Sequence, residues 1–375
     1  MALAYLISDR ESIGSKGAIS LLIGAALGIT FERGRFCFFC IFRDAVEDRN
    51  TTPFLGILVA IAVGSIGYAI TFGQFLPDTT TDRLPPSAHI GPVSWVLVLA
   101  GLLFGVGMAL SGACISGHLY RIGQGSLRAL PALFGSLIGF GLAFKVWNSL
   151  YLGTIIDSPT LWLPHTFGYG GALLITFLVL AIIAWIAIRV GSASDPLSQP
   201  NKNGITTSSF KFPLLLDRWS PITTGAIVGV IGTIAYLRIE PLGVTRQLSS
   251  ISRTYLDSKK ALPATIEGLD TMAGCIAVVS KVITNNGWLI LGFVLASLAA
   301  ALSGNRFSFE EITIPNGTTA LIGGVLLGLS SMIALGCTVG VLLTGTQSFA
   351  VSGWVFFASV FFGTFISLKL KLHKS

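Results

Sequence analysis

Nine apolar runs separated by more polar joints decide most of what this chain can become. They fall at 17–31, 53–75, 92–109, 127–150, 170–190, 221–237, 288–302, 318–335 and 348–370. A helix that crosses a bilayer needs roughly 20 mostly apolar residues, so nine such runs leave little chain for a soluble domain. Composition agrees: 52% of residues are hydrophobic and 11% charged, against roughly 25% charged in soluble domains, and mean hydropathy is +0.78. A soluble enzyme, a disordered chain and a collagen are excluded on these figures. The expected fold class is an all-α polytopic membrane protein. Runs such as 17–31 and 288–302 are short for about 30 Å of hydrocarbon, so broken or re-entrant helices are expected among the spans. Residues 1–16 lack a charged stretch followed by a small-residue cleavage site, and insertion through the chain's own helices is expected.

A duplication narrows the architecture. Gly105, Cys114, Gly117 and Gln124 recur as Gly328, Cys337, Gly340 and Gln347 at one offset, 337 − 114 = 223. Each cysteine motif lies between two apolar runs, so hydropathy repeats along with the letters. The polar stretch 191–211, with Ser192, Ser194, Asp195, Pro196, Gln199, Pro200 and Asn201, reads as a linker. The expected division is a first repeat over 17–150, a connecting span and cytoplasmic linker over 151–216, and a second repeat over 217–375. An odd fifth span between four-span halves makes the second half enter from the opposite side, giving inverted repeats as in many transporters.

Basic residues set the expected orientation. Arg33, Arg35, Arg43 and Arg49 precede the second span, Arg121 and Arg128 the fourth; Lys202, Lys211 and Arg218 flank the linker, and Lys369, Lys371 and Lys374 close the chain. All fall on one side in a nine-span arrangement, whereas 76–91 carries only Arg83 and 151–169 no Lys or Arg. The basic side is cytoplasmic by the positive-inside rule, with the N-terminus outside, the C-terminus inside and the cytoplasmic (inner) membrane as location. The net charge of +7 is therefore first an orientation and lipid-contact signal, and no nucleic-acid partner is expected. The loop 238–286 disagrees: Arg238, Arg246, Arg253, Lys259, Lys260 and Lys281 place a basic segment outside, where it either re-enters the membrane or collects anions.

The chemistry rests on thiols at helix breaks. Cys37, Cys114 and Cys337 each sit in a glycine-containing joint beside an apolar run. A single membrane cysteine is usually an apolar filler, but packing alone does not require the same thiol at the same break in both halves. Broken helices at membrane depth are tolerated where they line a cavity, and a thiol is a weak donor and a soft contact suited to sulfur. Backbone N–H groups at Gly112, Gly117, Gly336 and Gly340 are candidates for supplying partial positive charge without a full cation. Conduction favours such weak sites over a lysine clamp. Close helix packing accounts for many of the 44 glycines whatever the function.

Other residues carry less. Cys37 and Cys40 form a C-x-x-C pair, which permits a redox reading, and either thiol suits the path. Gln124 and Gln347 are candidates for internal pairing or for fixing re-entrant loops, as are Arg43 and Asp44. His118 follows Cys114 by four residues, but its repeat counterpart is Val341, and it reads as structural. Cys275 lies in the discordant loop with its role open. No G-x-x-x-x-G-K-[ST], H-E-x-x-H or G-x-S-x-G run occurs, so ATP-driven pumping, enzymatic hydrolysis, a metal and a cofactor are not expected.

The combination of Arg35-Phe36-Cys37 with Arg43-Asp44, Ser111-Gly112-Ala113-Cys114-Ile115-Ser116-Gly117-His118-Leu119, Pro241-Leu242-Gly243-Val244-Thr245-Arg246, Gly268-Leu269-Asp270 and Gly336-Cys337-Thr338-Val339-Gly340 resembles the YeeE/YedE sulfur-transport family of bacterial membrane proteins. The resemblance implies an hourglass-like inverted repeat of transmembrane and short re-entrant helices. It implies thiosulfate import past three thiols by S–H···S contacts, here Cys37, Cys114 and Cys337, with a small cytoplasmic sulfur-carrier protein as a partner. Two other readings stand beside it: transport of another sulfur or selenium oxyanion, and a membrane thiol oxidoreductase built on Cys37 and Cys40.

Overall fold

In a computed structural model, described for residues 14–81, 83–191, 217–263, 265–272 and 274–374, the chain is almost entirely helical. Its only strand-like pairings among the described residues are the isolated bridges Ser126–Glu310 and Trp162–Ala350. The helices are α1 Gly14–Gly34, α2 Phe38–Glu47, α3 Thr52–Phe75, α4 Trp95–Ser111, α5 Ile115–Gly123, α6 Ala129–Leu150, α7 Leu163–Val190, α8 Pro221–Arg238, α9 Arg246–Ser258, α10 Asn285–Ser303, α11 Ile314–Ile333 and α12 Val351–Lys369. A π-helix, Thr338–Gly345, lies between α11 and α12. Nine helical stretches among the described residues are long and apolar enough to cross a membrane. They coincide with the nine apolar runs. The expected signal-free start falls in part, and the linker core at 192–211 wholly, outside the described residues.

Caps explain where the helix ends differ from the apolar runs. The run at 92–109 yields a helix only from Trp95, because the Ser94 hydroxyl accepts the Leu97 N–H at 3.3 Å and fixes the N-cap. The run at 170–190 begins earlier, at Leu163, with Pro164 in the first turn and a kink at Gly168, whose φ of 64° suits glycine. The short run at 288–302 gains a turn from Asn285, where the Thr284 hydroxyl accepts the Gly287 N–H at 3.3 Å.

The long helices pair in a way that mirrors the duplication. α1 packs along α10 and α8 along α3, while α6 packs along α11 and α12 along α4. Exchanging α1 with α8, α3 with α10, α4 with α11 and α6 with α12 turns each pair into the other. Glycines permit the closeness. A Cβ on Gly135 or Gly139 would run into the backbone of Leu321 or Val325, and one on Gly324 or Gly328 into that of Ala132 or Ser136. Two G-x-x-x-G faces thus meet between α6 and α11, as helix packing in a membrane favours. α7 stands apart: 22% of its most apolar window is buried, against 39% to 61% for the other spans. Its Leu174, Ile182, Trp185 and Ile188 are exposed, an apolar surface that hydrocarbon accommodates and water does not.

Candidate functional site

Cys37, Cys114 and Cys337 are built into one local motif. The residue two positions before each is left-handed: Arg35 with φ 49°, Gly112 with φ 87° and Leu335 with φ 61°. Each cysteine is then the N-cap of the next short helix, namely α2, α5 and the π-helix. A left-handed residue ends a helix; two residues further on, the chain restarts with a thiol at the new N-terminus, where unsatisfied N–H groups gather. For Arg35 and Leu335 that conformation costs about 1–2 kcal/mol each. All three thiols are fully buried.

Two clusters follow. In the first, Cys37 and Cys114 meet over Gly117: a Cβ there would lie 2.8 Å from the Cys37 sulfur and 3.4 Å from that of Cys114. The Gly117 N–H donates to Cys114 Sγ at 3.4 Å, and Ser116 Oγ lies 3.2 Å from it. Cys40 Sγ accepts from Arg121 Nη2 at 3.1 Å, while Arg121 Nη1 donates to Gly112 O at 3.0 Å. Arg121 thus ties α2 to the break between α4 and α5. Arg43 and Asp44 pair with each other at 2.8 Å, both partly exposed.

The second cluster surrounds Cys337. The N–H groups of Val339, Gly340 and Val244 face its sulfur without closing a cap hydrogen bond. Cys275 joins it: a Cβ on Gly340 would lie 3.1 Å, and one on Gly336 3.7 Å, from Cys275 Sγ. His89 Nε2 is 3.5 Å from the same sulfur, and His89 Nδ1 pairs with Thr344 Oγ1. A cavity of about 230 Å³, lined by His89, Gly243, Arg246, Asp270, Cys275 and Asn286 among others, opens beside this group. Arg246 pairs with Glu240. Arg253 donates to Asp270 at 2.9 Å, and these hydrogen bonds are the main cause holding the Asp270 carboxyl below its usual range.

The remaining sequence candidates separate. Gly112 and Gly336 have no free N–H, because theirs close onto Met108 O at 2.9 Å and Ser331 O at 2.8 Å; Gly117 and Gly340 do present theirs to sulfur. Gln124 Nε2 reaches Glu32 at 3.4 Å, in a buried ion cluster where Arg306 grips Glu32 at 2.8 and 3.0 Å. Gln347 Nε2 instead donates to Ala60 O at 2.9 Å. Equal repeat positions have taken different duties. His118 is buried with Nε2 unpartnered. His89, Thr245 and Arg121 lie outside the repeated letters; of the three, only Thr245, within the Pro241–Arg246 stretch that carries the family resemblance, has a functional signal in the sequence.

A helical bundle with nine candidate spans and thiols placed at its broken helices is a polytopic membrane protein, the class to which secondary transporters belong. The Sulphur transport family profile matches residues 33–366, and the chain belongs to that family. It is 27% identical over 345 residues to the thiosulfate transporter TsuA of Escherichia coli, covering 89% of each chain. It is 29% identical over 357 residues to the thiosulfate transporter TsuA of Spirochaeta thermophila, covering 91% of this chain and 94% of that one. The probable transporter YedE of Escherichia coli is 30% identical over 175 residues, 45% of this chain and 41% of that one.

Proposed function

We propose that the protein imports thiosulfate across the cytoplasmic membrane by passing it along buried thiols. The observation that carries this reading is the shared left-handed-residue, spacer and N-cap cysteine motif of Cys37, Cys114 and Cys337, combined with membership of a sulphur-transport family. Neutral S–H groups and helix N-termini stabilise an anion weakly enough to release it, and a soft sulfur suits the terminal sulfur of thiosulfate. The halves 17–150 and 217–375 act as inverted repeats about the span 151–190, with the 239–284 loop outside and both the linker and the C-terminus in the cytoplasm. The cavity beside Cys275 is then the outer mouth, and the Gly117 cluster is the inner end. The exchange of helix pairs supports the repeat assignment, and the basic joints support the orientation.

Cells stripped of other sulfur routes test the substrate: with this chain they grow on thiosulfate, and Cys114→Ala and Cys337→Ala abolish that growth. Growth of both variants at the wild-type rate defeats the relay. Transport of another sulfur or selenium oxyanion is separated by competition, in which sulfite or selenite displaces labelled thiosulfate only if it shares the path. A small cytoplasmic sulfur carrier is the proposed receiver at the inner end, tested by co-purification from cells supplied with thiosulfate.

A further inference from the structure

The loop between α9 and α10 has no equivalent in the first half, where only residues 48–51 separate α2 from α3. It delivers Cys275, a thiol without a repeat counterpart, to the floor of the 230 Å³ cavity and over the two glycines that flank Cys337. The order from the cavity inward is therefore Cys275, then Cys337.

The hydrogen bonds around His89 fix how this thiol is held. Thr344 has one hydroxyl proton, and it is directed at its own helix, to Gly340 O. With that proton on the backbone, the Thr344 oxygen accepts from His89, which assigns the ring proton to Nδ1. Nε2 is left with a lone pair, and the S–H of Cys275 at 3.5 Å donates to it. The thiol is neutral, oriented and at the cavity floor, 8% exposed.

A second group nearby is held by sulfur alone. Thr245 is 1% exposed, and its Oγ1 closes no hydrogen bond to oxygen or nitrogen, with only the sulfurs of Cys275 and Cys337 beside it. It stands at the N-cap position of α9 without a capping hydrogen bond, the position along the second half that Cys37 takes before α2 in the first. Arg246, the next residue, has Nη1 on Glu240 while its buried Nε is unpartnered. A buried guanidinium N–H without an acceptor costs about 1–3 kcal/mol until one arrives, and sulfur is a weak acceptor that an anion oxygen outcompetes for the Thr245 hydroxyl.

We propose that Cys275, Thr245 and His89 form a separate capture station at the mouth, which binds an anion carrying both a soft sulfur and oxygens before it reaches Cys337. The Cys275 S–H turns from His89 to the anion's terminal sulfur, and Thr245 donates to one of its oxygens. No bond is made or broken. This inference rests on the transport reading and adds a first site to it.

The test uses full-length protein in liposomes. Modification of wild-type Cys275 by N-ethylmaleimide is followed by peptide mass spectrometry, without anion, with thiosulfate and with sulfate. Thiosulfate is expected to slow it about fivefold or more and sulfate not at all. Cys275→Ser is expected to raise KM for thiosulfate about tenfold with kcat nearly unchanged, the pattern of lost ground-state binding; if that variant fails to insert, the labelling of wild type decides alone. A Cys275 labelling rate indifferent to thiosulfate, in vesicles that do take it up, overturns the capture station and leaves transport standing. Wild-type vesicles that take up no thiosulfate overturn the transport reading itself.

Discussion

The sulfurs of Cys37 and Cys114 converge on Gly117, where a methyl group would stand 2.8 Å from one and 3.4 Å from the other. Thiols from two separate helix breaks share this point only because the residue between them has no side chain. Gly117→Ala is accordingly expected to cut uptake about tenfold or more while the bundle stays folded, since overpacking costs typically about 1–3 kcal/mol. Gly153→Ala is the control, because nothing lies within 4 Å of its added carbon. Equal uptake by the two variants would show that the close approach is not used.

Cys37 and Cys40 differ in what holds them. Cys40 accepts a hydrogen bond from Arg121, a role a serine oxygen fills. Cys40→Ser should retain uptake within about threefold, and Cys37→Ala should lose about tenfold or more, each tenfold being about 1.4 kcal/mol. A redox pair demands the opposite: complete loss in Cys40→Ser and a Cys37–Cys40 disulfide visible by mass spectrometry.

The contact between α6 and α11 should be sensitive to bulk. Gly328→Leu places a branched side chain where a bare Cβ already comes within 2.8 Å of the Ser136 backbone. Thermal unfolding in detergent should drop by several degrees, as expected for a loss of about 1–3 kcal/mol or more. Gly170→Ala, in open space, should not shift it.

Asp270 gives a pH dependence with a definite sign. Hydrogen bonds from Arg253 lower its carboxyl below the ordinary value, so its contribution is present above the unfolded pKa of about 3.9 and is lost as pH falls through the lowered folded value. Protease nicking of the 259–284 loop should be constant from about pH 8 to 5 and accelerate only below about 4. Asp270→Asn should be nicked faster throughout. A wild-type transition near neutrality would contradict the clamp.

Spans were legible because hydrocarbon imposes length and composition on them, and the runs at 53–75 and 221–237 became Thr52–Phe75 and Pro221–Arg238. The thiol breaks were legible through repetition. What repetition concealed was asymmetry: Gln124 and Gln347 occupy equal positions and bond to Glu32 and Ala60. Glu32 and Arg306, 274 residues apart, leave no local pattern, since an ion pair closed by tertiary packing has no period. His89 was hidden for the same reason, since it meets Cys275, 186 residues away, only through tertiary packing. The left-handed conformations of Arg35 and Leu335 also go unannounced, because neither residue type favours φ > 0.

Purified protein in liposomes, loaded outside with thiosulfate labelled at its terminal sulfur, isolates the relay from every cellular partner. Wild-type vesicles should accumulate label, and Cys114→Ala and Cys337→Ala vesicles should each fall about a hundredfold or to background, a loss of about 2.7 kcal/mol or more in transport. Accumulation by both variants at the wild-type rate would show that thiosulfate crosses without these thiols.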